Sequence, residues 1–294
     1  MMMQALQGVV PILLTPFDAQ ERVDVDSLQS LVDFQVAAGV RGVGIALGSE
    51  VMKLTEAERG LVTRTVADRV AGRVPLVVNT GGESTFVTVI NSREAQANGA
   101  DAVMIIPPAP EAGAEAWIDT YRAVDKAVDL PIFIQDVSQP HVAANVAKRI
   151  AEACPNVRYI KVESHPTPAM VAEAVVVAGD LLTVFGGAGG RYIIEELRRS
   201  SQGTMPGCSC PEAFVALWES YRAGDEAQAW RIFYERIEPI NRLAGQGWGA
   251  FYGVHKEILR RRGIIRTSVV RGPVRPLDEG LRRDLQLVFD ELYG

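Results

Sequence analysis

Sulfur, imidazole and long apolar runs are all scarce in this chain, and each scarcity removes a class of function. The 294 residues include three cysteines, Cys154, Cys208 and Cys210, and three histidines, His141, His165 and His255. An odd, sparse cysteine set is no disulfide framework, and no second pair completes a zinc site around Cys208-Ser209-Cys210. The histidines lack metal-ligand spacing to one another or to a cysteine, so neither a metal nor another cofactor is expected. No segment offers the roughly 20 uninterrupted apolar residues that a membrane-spanning helix needs. Met1 to Gln7 holds no basic stretch leading into an apolar one, so no secretory leader is expected and a cytoplasmic location is. Basic runs with interleaved aromatics are missing too, and with a net charge of −6 and a pI near 5.3 nucleic acid is not an expected partner.

What is present is ordinary globular material, 48% hydrophobic and 22% charged, arranged with a clear rhythm. Short runs rich in Val, Ile and Leu recur at Gly8–Thr15, Gly42–Leu47, Val74–Asn79, Ala102–Ile106, Pro131–Gln135, Val157–Val162, Leu182–Phe185 and Gly203–Met205. Continuous rather than alternating apolar runs suit parallel strands buried on both faces. Helix signals lie between them. Asp26 begins a stretch with Leu28, Leu31, Val32 and Val36 on one face, ending at Gly39. Thr55 with Glu58 forms a capping box, and Thr85 opens a helix that closes near Gly99. Strand, loop and helix repeated eight times predict a (β/α)8 TIM barrel. Residues 1–224 hold the barrel, and residues 225–294 form a C-terminal helical extension packed on it within one structural domain. The competing open doubly wound sheet would carry a Gly-rich phosphate loop. Gly81-Gly82 and Gly186-Gly187-Ala188-Gly189-Gly190 match neither dinucleotide nor P-loop patterns. The second cluster follows the seventh run, where many barrels bind phosphate, and Gly187 is a candidate substrate contact.

The chemistry of a barrel gathers where its strands end at the C-terminal face. Reading the sixth strand as Arg158-Tyr159-Ile160-Lys161-Val162-Glu163 puts a lysine among apolar neighbours, and burial favours the neutral, nucleophilic form of an amine. Such an amine attacks a keto group to form an imine, which then serves as an electron sink. Glu163, two residues on, points the same way. On these residues alone, a salt-bridged structural lysine is the competing reading.

The chain also resembles the dihydrodipicolinate synthase and N-acetylneuraminate lyase family of class I aldolases and dehydratases, essentially end to end. The resemblance is carried by Gly8-Val9-Val10-Pro11 with Leu14-Thr15-Pro16-Phe17, by Ser49-Glu50 with Leu54-Thr55, by Gly99-Ala100-Asp101, by Pro107-Pro108 and by Ile160-Lys161. It implies the barrel fold, a Schiff base on Lys161, a small-molecule 2-keto acid substrate and a homo-oligomer, commonly a homotetramer.

Three departures matter. The family's carboxylate-binding loop usually reads Gly-Thr-Thr-Gly-Glu or Gly-Ser-Thr-Gly-Glu, whereas here it is Ala46-Leu47-Gly48-Ser49-Glu50. The carboxylate would then fall to the Ser49 hydroxyl and the amides of Gly48 and Ser49, with a helix-leading cap as the competing role for Ser49. The usual Tyr-Asn-x-Pro after the fifth strand is replaced by Gln135-Asp136-Val137-Ser138, and an amide is no general acid or base near neutral pH. After the lysine, the carboxylate stands two residues on rather than one. The set Ser49-Glu50, Gln135-Asp136 and Lys161-Val162-Glu163 resembles the 2-keto-3-deoxy-L-arabinonate dehydratase branch. This implies catalytic roles for Lys161, Glu163 and Gln135, and substrate contacts from Ser49, Gly48, Glu50 and Asp136. Dehydration of a 2-keto-3-deoxy sugar acid is the favoured reading. A pyruvate-dependent aldolase and an inactive ligand-binding barrel are the alternatives. Gln246, Trp248 and Phe251 are candidates to cap the pocket or to form an oligomer contact. Trp117, Trp218 and Trp230 read as packing, His141 and His165 as exposed loop histidines, and His255 as structural.

Overall fold

The structure, a computed structural model, describes residues 6–247 and 249–294. Met1–Ala5 and Trp248, one of the candidate capping residues, lie outside the described residues. Eight parallel strands form in chain order: β1 Gly8–Val9, β2 Val43–Ile45, β3 Leu76–Asn79, β4 Ala102–Ile105, β5 Ile132–Asp136, β6 Val157–Val162, β7 Thr183–Gly186 and β8 Gly203–Thr204. They are hydrogen-bonded in the order β1-β8-β7-β6-β5-β4-β3-β2. The circle closes between its two ends. Arg41 N–H donates to Val9 O at 2.9 Å, Gly44 N–H to Pro11 O at 2.9 Å and Leu13 N–H to Gly44 O at 2.8 Å. The molecule is the (β/α)8 barrel that the eight apolar runs predict.

The first run is the one whose extent differs most. Only Gly8–Val9 is regular strand, and the ladder resumes as single parallel bridges from Ile12 to Gly44 and to Gly207. Pro11 interrupts it because proline has no N–H to donate. The first helix, Val25–Ala37, also starts slightly earlier than the pattern implied, because Asp24 rather than Asp26 caps it by accepting from Ser27 N. The Thr55–Glu58 capping box forms as expected: Thr55 N–H donates to Glu58 Oε2 at 2.9 Å and Glu58 N–H to Thr55 Oγ1 at 3.3 Å.

Side-chain alternation sorts the strands into two cores. Val77, Met104, Phe133, Tyr159 and Phe185 point inward and pack with one another, and the rings of Phe133 and Tyr159 stack with centroids 4.3 Å apart. Val78, Ile105, Ile134, Ile160, Val162 and Val184 point outward into the larger core beneath the helices. The aromatic layer fills the barrel, so it is a floor and not a pore. All three cysteines are buried in the outer core. After the eighth unit the chain continues as helices that pack back on the barrel, among them Ala250–Arg261 and Glu279–Tyr293. Among the described residues no helix is long and apolar enough to cross a membrane.

Among the described residues, Glu196 is a buried acid with one unsatisfied oxygen. Glu196, on the helix Ile193–Leu197, is 1% exposed; its Oε1 accepts from Thr167 Oγ1 at 2.7 Å and its Oε2 has no partner. That oxygen occupies the space beside Gly186, where a Cβ would lie 1.8 Å from it. Burial raises the Glu196 carboxyl to about 7. A raised carboxyl stabilises the fold fully below its ordinary value near 4.5, and the contribution is lost as pH rises through 7. Glu196→Gln is therefore expected to keep about 3 kcal/mol that the native protein loses between pH 5 and pH 8. Urea unfolding at both pH values measures it; equal losses in both proteins would show that Glu196 ionises as readily folded as unfolded.

Candidate active site

The inward positions one step beyond the aromatic floor are Asn79 above Val77, Gln135 above Phe133, Lys161 above Tyr159 and Gly187 above Phe185. Period-two alternation aims all four at the C-terminal mouth. Gln135 and Lys161 are direct register partners across β5 and β6. Glu163 follows Lys161 by one more pleat, and its Oε2 lies 2.8 Å from Lys161 Nζ. The same oxygen accepts from Gln135 Nε2 at 2.7 Å, and Gln135 Oε1 accepts from Asn79 Nδ2 at 2.8 Å. The other carboxylate oxygen, Oε1, accepts from Ala188 N–H at 3.3 Å. Lys161 is 3% exposed and Gln135 is fully buried, while the Glu163 side chain is partly open at the mouth.

Gly187 belongs to this set as a space rather than as a group. A Cβ there would lie 2.4 Å from Glu163 Cγ and 3.0 Å from Lys161 Cε, so only glycine lets the two functional side chains stand where they do.

The loop after β2 forms two short 3-10 turns, Leu47–Ser49 and Val51–Lys53, with Glu50 between them in the left-handed region at φ 57°. Ser49 Oγ accepts from Ala46 N–H at 3.0 Å, and Ser49 N–H is taken by Ala46 O at 2.8 Å. Of the donors expected for a substrate carboxylate, the Ser49 amide is thus already committed to the turn, and the hydroxyl both caps the turn and keeps its hydrogen. Gly48 lies under the Phe251 ring, 3.3 Å from where its Cβ would be. Phe251 packs edge-on against His255, whose Nδ1 shares a 2.7 Å hydrogen bond with Ser209 Oγ. Burial lowers the imidazole of His255 to about 4, so it is neutral. Phe251 therefore lies over the β2 loop, while Gln246 is exposed.

Two expected substrate contacts are placed elsewhere. Asp136 follows inward-facing Gln135 by one residue and so points outward. There it accepts from His141 Nδ1 at 2.9 Å, from Val142 N–H at 2.8 Å and from Ser164 Oγ, tying the loops after β5 and β6 together. Burial raises its carboxyl above the ordinary range despite these donors. Glu50 is consumed by lysines: Lys256 Nζ is 2.5 Å from Oε1 and Lys53 Nζ is 3.0 Å from Oε2, with the Glu50 side chain wholly buried. Lys256, 206 residues away in sequence, is the partner that local spacing could not reveal. In the apolar run Val74–Asn79, Asn79 is only the end of a strand. The alternation that places Lys161 would have found it too, since it is the inward residue after Val77.

The comparisons agree with this architecture. The Dihydrodipicolinate synthetase family matches over residues 5–291. L-2-keto-3-deoxyarabonate dehydratase of Azospirillum brasilense is 29% identical over 297 residues, covering 97% of this chain and 94% of that protein. N-acetylneuraminate lyase of Citrobacter koseri is 28% identical over 311 residues, covering 99% and 98%. Among solved structures, dihydrodipicolinate synthase from Rhodopseudomonas palustris superposes with a TM-score of 0.89 at 25% identity, covering 97% of each chain. A lysine at the mouth of the barrel, a carboxylate in contact with it and a family match that spans nearly the whole chain lead to one statement: this protein belongs to the dihydrodipicolinate synthetase family of lyases.

Proposed function

We propose that the protein is a Schiff-base lyase that dehydrates a 2-keto-3-deoxy sugar acid of the 2-keto-3-deoxy-L-arabonate kind. The observation that carries this reading is the grip on Glu163. Its Oε2 stands 2.8 Å from Lys161 Nζ and is held from the other side by the amide of Gln135 at 2.7 Å. The similarity to the Azospirillum dehydratase supports the same substrate class. A homo-oligomer and a cytoplasmic location accompany this proposal as expectations of the family resemblance.

In the proposed reaction the Lys161 amine adds to the C2 carbonyl, whose oxygen leaves as water, and a protonated imine results. That cation acidifies C3. Glu163 removes one C3 proton, and the electron pair collapses into a C2–C3 double bond as the imine becomes an enamine. The enamine expels the C4 hydroxyl, which departs as water on taking the proton that Glu163 has just acquired. Hydrolysis of the conjugated imine frees Lys161 and an unsaturated keto acid, with one water lost overall. One carboxylate thus serves both proton transfers. The Gln135 amide neither gives nor takes a proton and acts by orientation. Cleavage of the C3–C4 bond would instead need a base on the C4 hydroxyl, and Gln135 cannot be that base.

Three outcomes test the reading. Borohydride reduction with 2-keto-3-deoxy-L-arabonate should leave a covalent adduct detectable by intact-protein mass spectrometry, at a mass showing loss of water, and none in Lys161→Ala. Release of pyruvate in place of a dehydrated product would overturn dehydration in favour of an aldolase. Glu163→Gln should still trap the keto acid but turn over about 100- to 10,000-fold more slowly; full turnover would remove Glu163 from the mechanism. Gly187→Ala should lose about 100-fold in kcat with an unchanged far-UV spectrum, since its methyl displaces Glu163 and Lys161 together.

A further inference from the structure

We infer that Asn79 is a positioning residue that fixes which end of the Gln135 amide faces Glu163. The inference rests on the proposed role of Glu163 as the base at C3, and it follows from the polarity of one hydrogen-bonded row. An ammonium only donates and a carboxylate only accepts. Lys161 Nζ lies 2.8 Å from Glu163 Oε2, so the Gln135 atom 2.7 Å from that same oxygen must be its donor end, Nε2. The carbonyl end, Oε1, is thereby turned toward β3, where Asn79 Nδ2 donates to it at 2.8 Å. Asn79 is 3% exposed and Gln135 is fully buried, so neither partner is open to bulk solvent.

An amide is nearly symmetric in shape, and rotation by half a turn exchanges its two ends at little steric cost. What opposes the exchange is chemistry. In the reversed orientation the carbonyl of Gln135 would face a carboxylate, and its NH2 would face the NH2 of Asn79. Without Asn79 only the Glu163 end resists, and a buried carbonyl is left without a donor. A carboxylate that loses a donor and gains a facing carbonyl is a weaker acid, because hydrogen bonds to the charged form are what favour it. Since the base must be unprotonated to take the C3 proton, the rate would begin to rise only at higher pH.

The test reads the proton transfer itself. Pyruvate, the simplest 2-keto acid, would form the imine on Lys161, lose a methyl proton to Glu163 and regain deuterium from D2O through the enamine. Proton NMR of the methyl signal against pD then gives the acid limb of this exchange. With Asn79→Leu, which keeps the branching and the number of side-chain heavy atoms, the limb is expected to move up by about one unit, while borohydride still traps the pyruvate adduct. Asn79→Asp, which keeps the size and presents only acceptors when ionised, should move it the same way and serves if the leucine variant does not fold. In a Gln135→Leu background the same changes at Asn79 should leave the limb where it is. A limb that does not move, or that moves equally with and without Gln135, overturns the positioning role. Native protein that traps pyruvate but exchanges no methyl protons, or that traps nothing, overturns the underlying reading and this inference with it; trapping and exchange without a shift overturn the inference alone.

Discussion

An amine cannot be placed inside a closed barrel without a partner, and the cost of doing so organises the mouth of this one. The aromatic floor of Phe133, Tyr159 and Phe185 seals the barrel below Lys161 and leaves that residue 3% exposed. An isolated charge there would be several kcal/mol out of balance. Glu163, on the next inward pleat of the same chain, offsets it at 2.8 Å. That pairing then makes demands of its own. The carboxylate must be satisfied, and Gln135 and the Ala188 amide supply the donors. It must also be given room, and Gly187 supplies that by having no side chain. The four strand ends from β3 to β7 that meet here are therefore set by one ion pair.

A second buried pair governs the rim. Lys256, on the helix Ala250–Arg261, reaches Glu50 at 2.5 Å and also donates to Val269 O at 2.8 Å, with its ammonium 4.3 Å from the Phe17 ring centroid. Burial lowers Lys256 to about 8 against the pull of Glu50 in the other direction. Nearby, Arg271 grips Glu58 through two nitrogens at 2.9 and 2.8 Å and holds that carboxyl down at about 2. The first contact ties the C-terminal segment to the turns after β2, and the second ties it to the start of the helix Glu56–Val70 that follows them. Such pairs add little net stability, but breaking one partner leaves an uncompensated charge. They therefore hold the geometry of the loop.

How much of this was visible in the chain depends on the range over which each signal acts. The eight strands were legible because burial on both faces writes a continuous apolar run, and the Thr55–Glu58 box because both halves lie within one turn. Lys161 and Glu163 were legible as neighbours because two residues along a strand return to the same face. The same rule, applied to Gln135-Asp136, excludes Asp136 from the lumen, and applied to Val77-Val78-Asn79 brings Asn79 in. Glu50 is different in kind. Its partner lies 206 residues away, and nothing in the spacing of Ser49-Glu50 distinguishes a substrate ligand from an acid awaiting a lysine. Ser49 falls between these cases, since its hydroxyl caps the turn and still keeps a hydrogen to donate.

The exchange of a phenol for an amide at position 135 bears directly on which bond the site is suited to break. A phenol can relay a proton to or from a hydroxyl remote from the imine, and C–C cleavage requires such a relay at C4. An amide fixes direction without moving protons, so in the proposed reaction all proton traffic falls to Glu163, the group in contact with the amine. A single carboxylate can serve a reaction whose two transfers occur at adjacent carbons and cancel, the proton leaving C3 being the one that departs with the C4 hydroxyl. The proposed dehydration has that economy, with Glu163 reaching C3 first; cleavage to pyruvate also returns one proton for one taken, but its first transfer is from the C4 hydroxyl, where the amide at position 135 supplies no base. The row Asn79–Gln135–Glu163–Lys161 is on this argument the arrangement a barrel of this family would adopt when its chemistry contracts to one acid–base group.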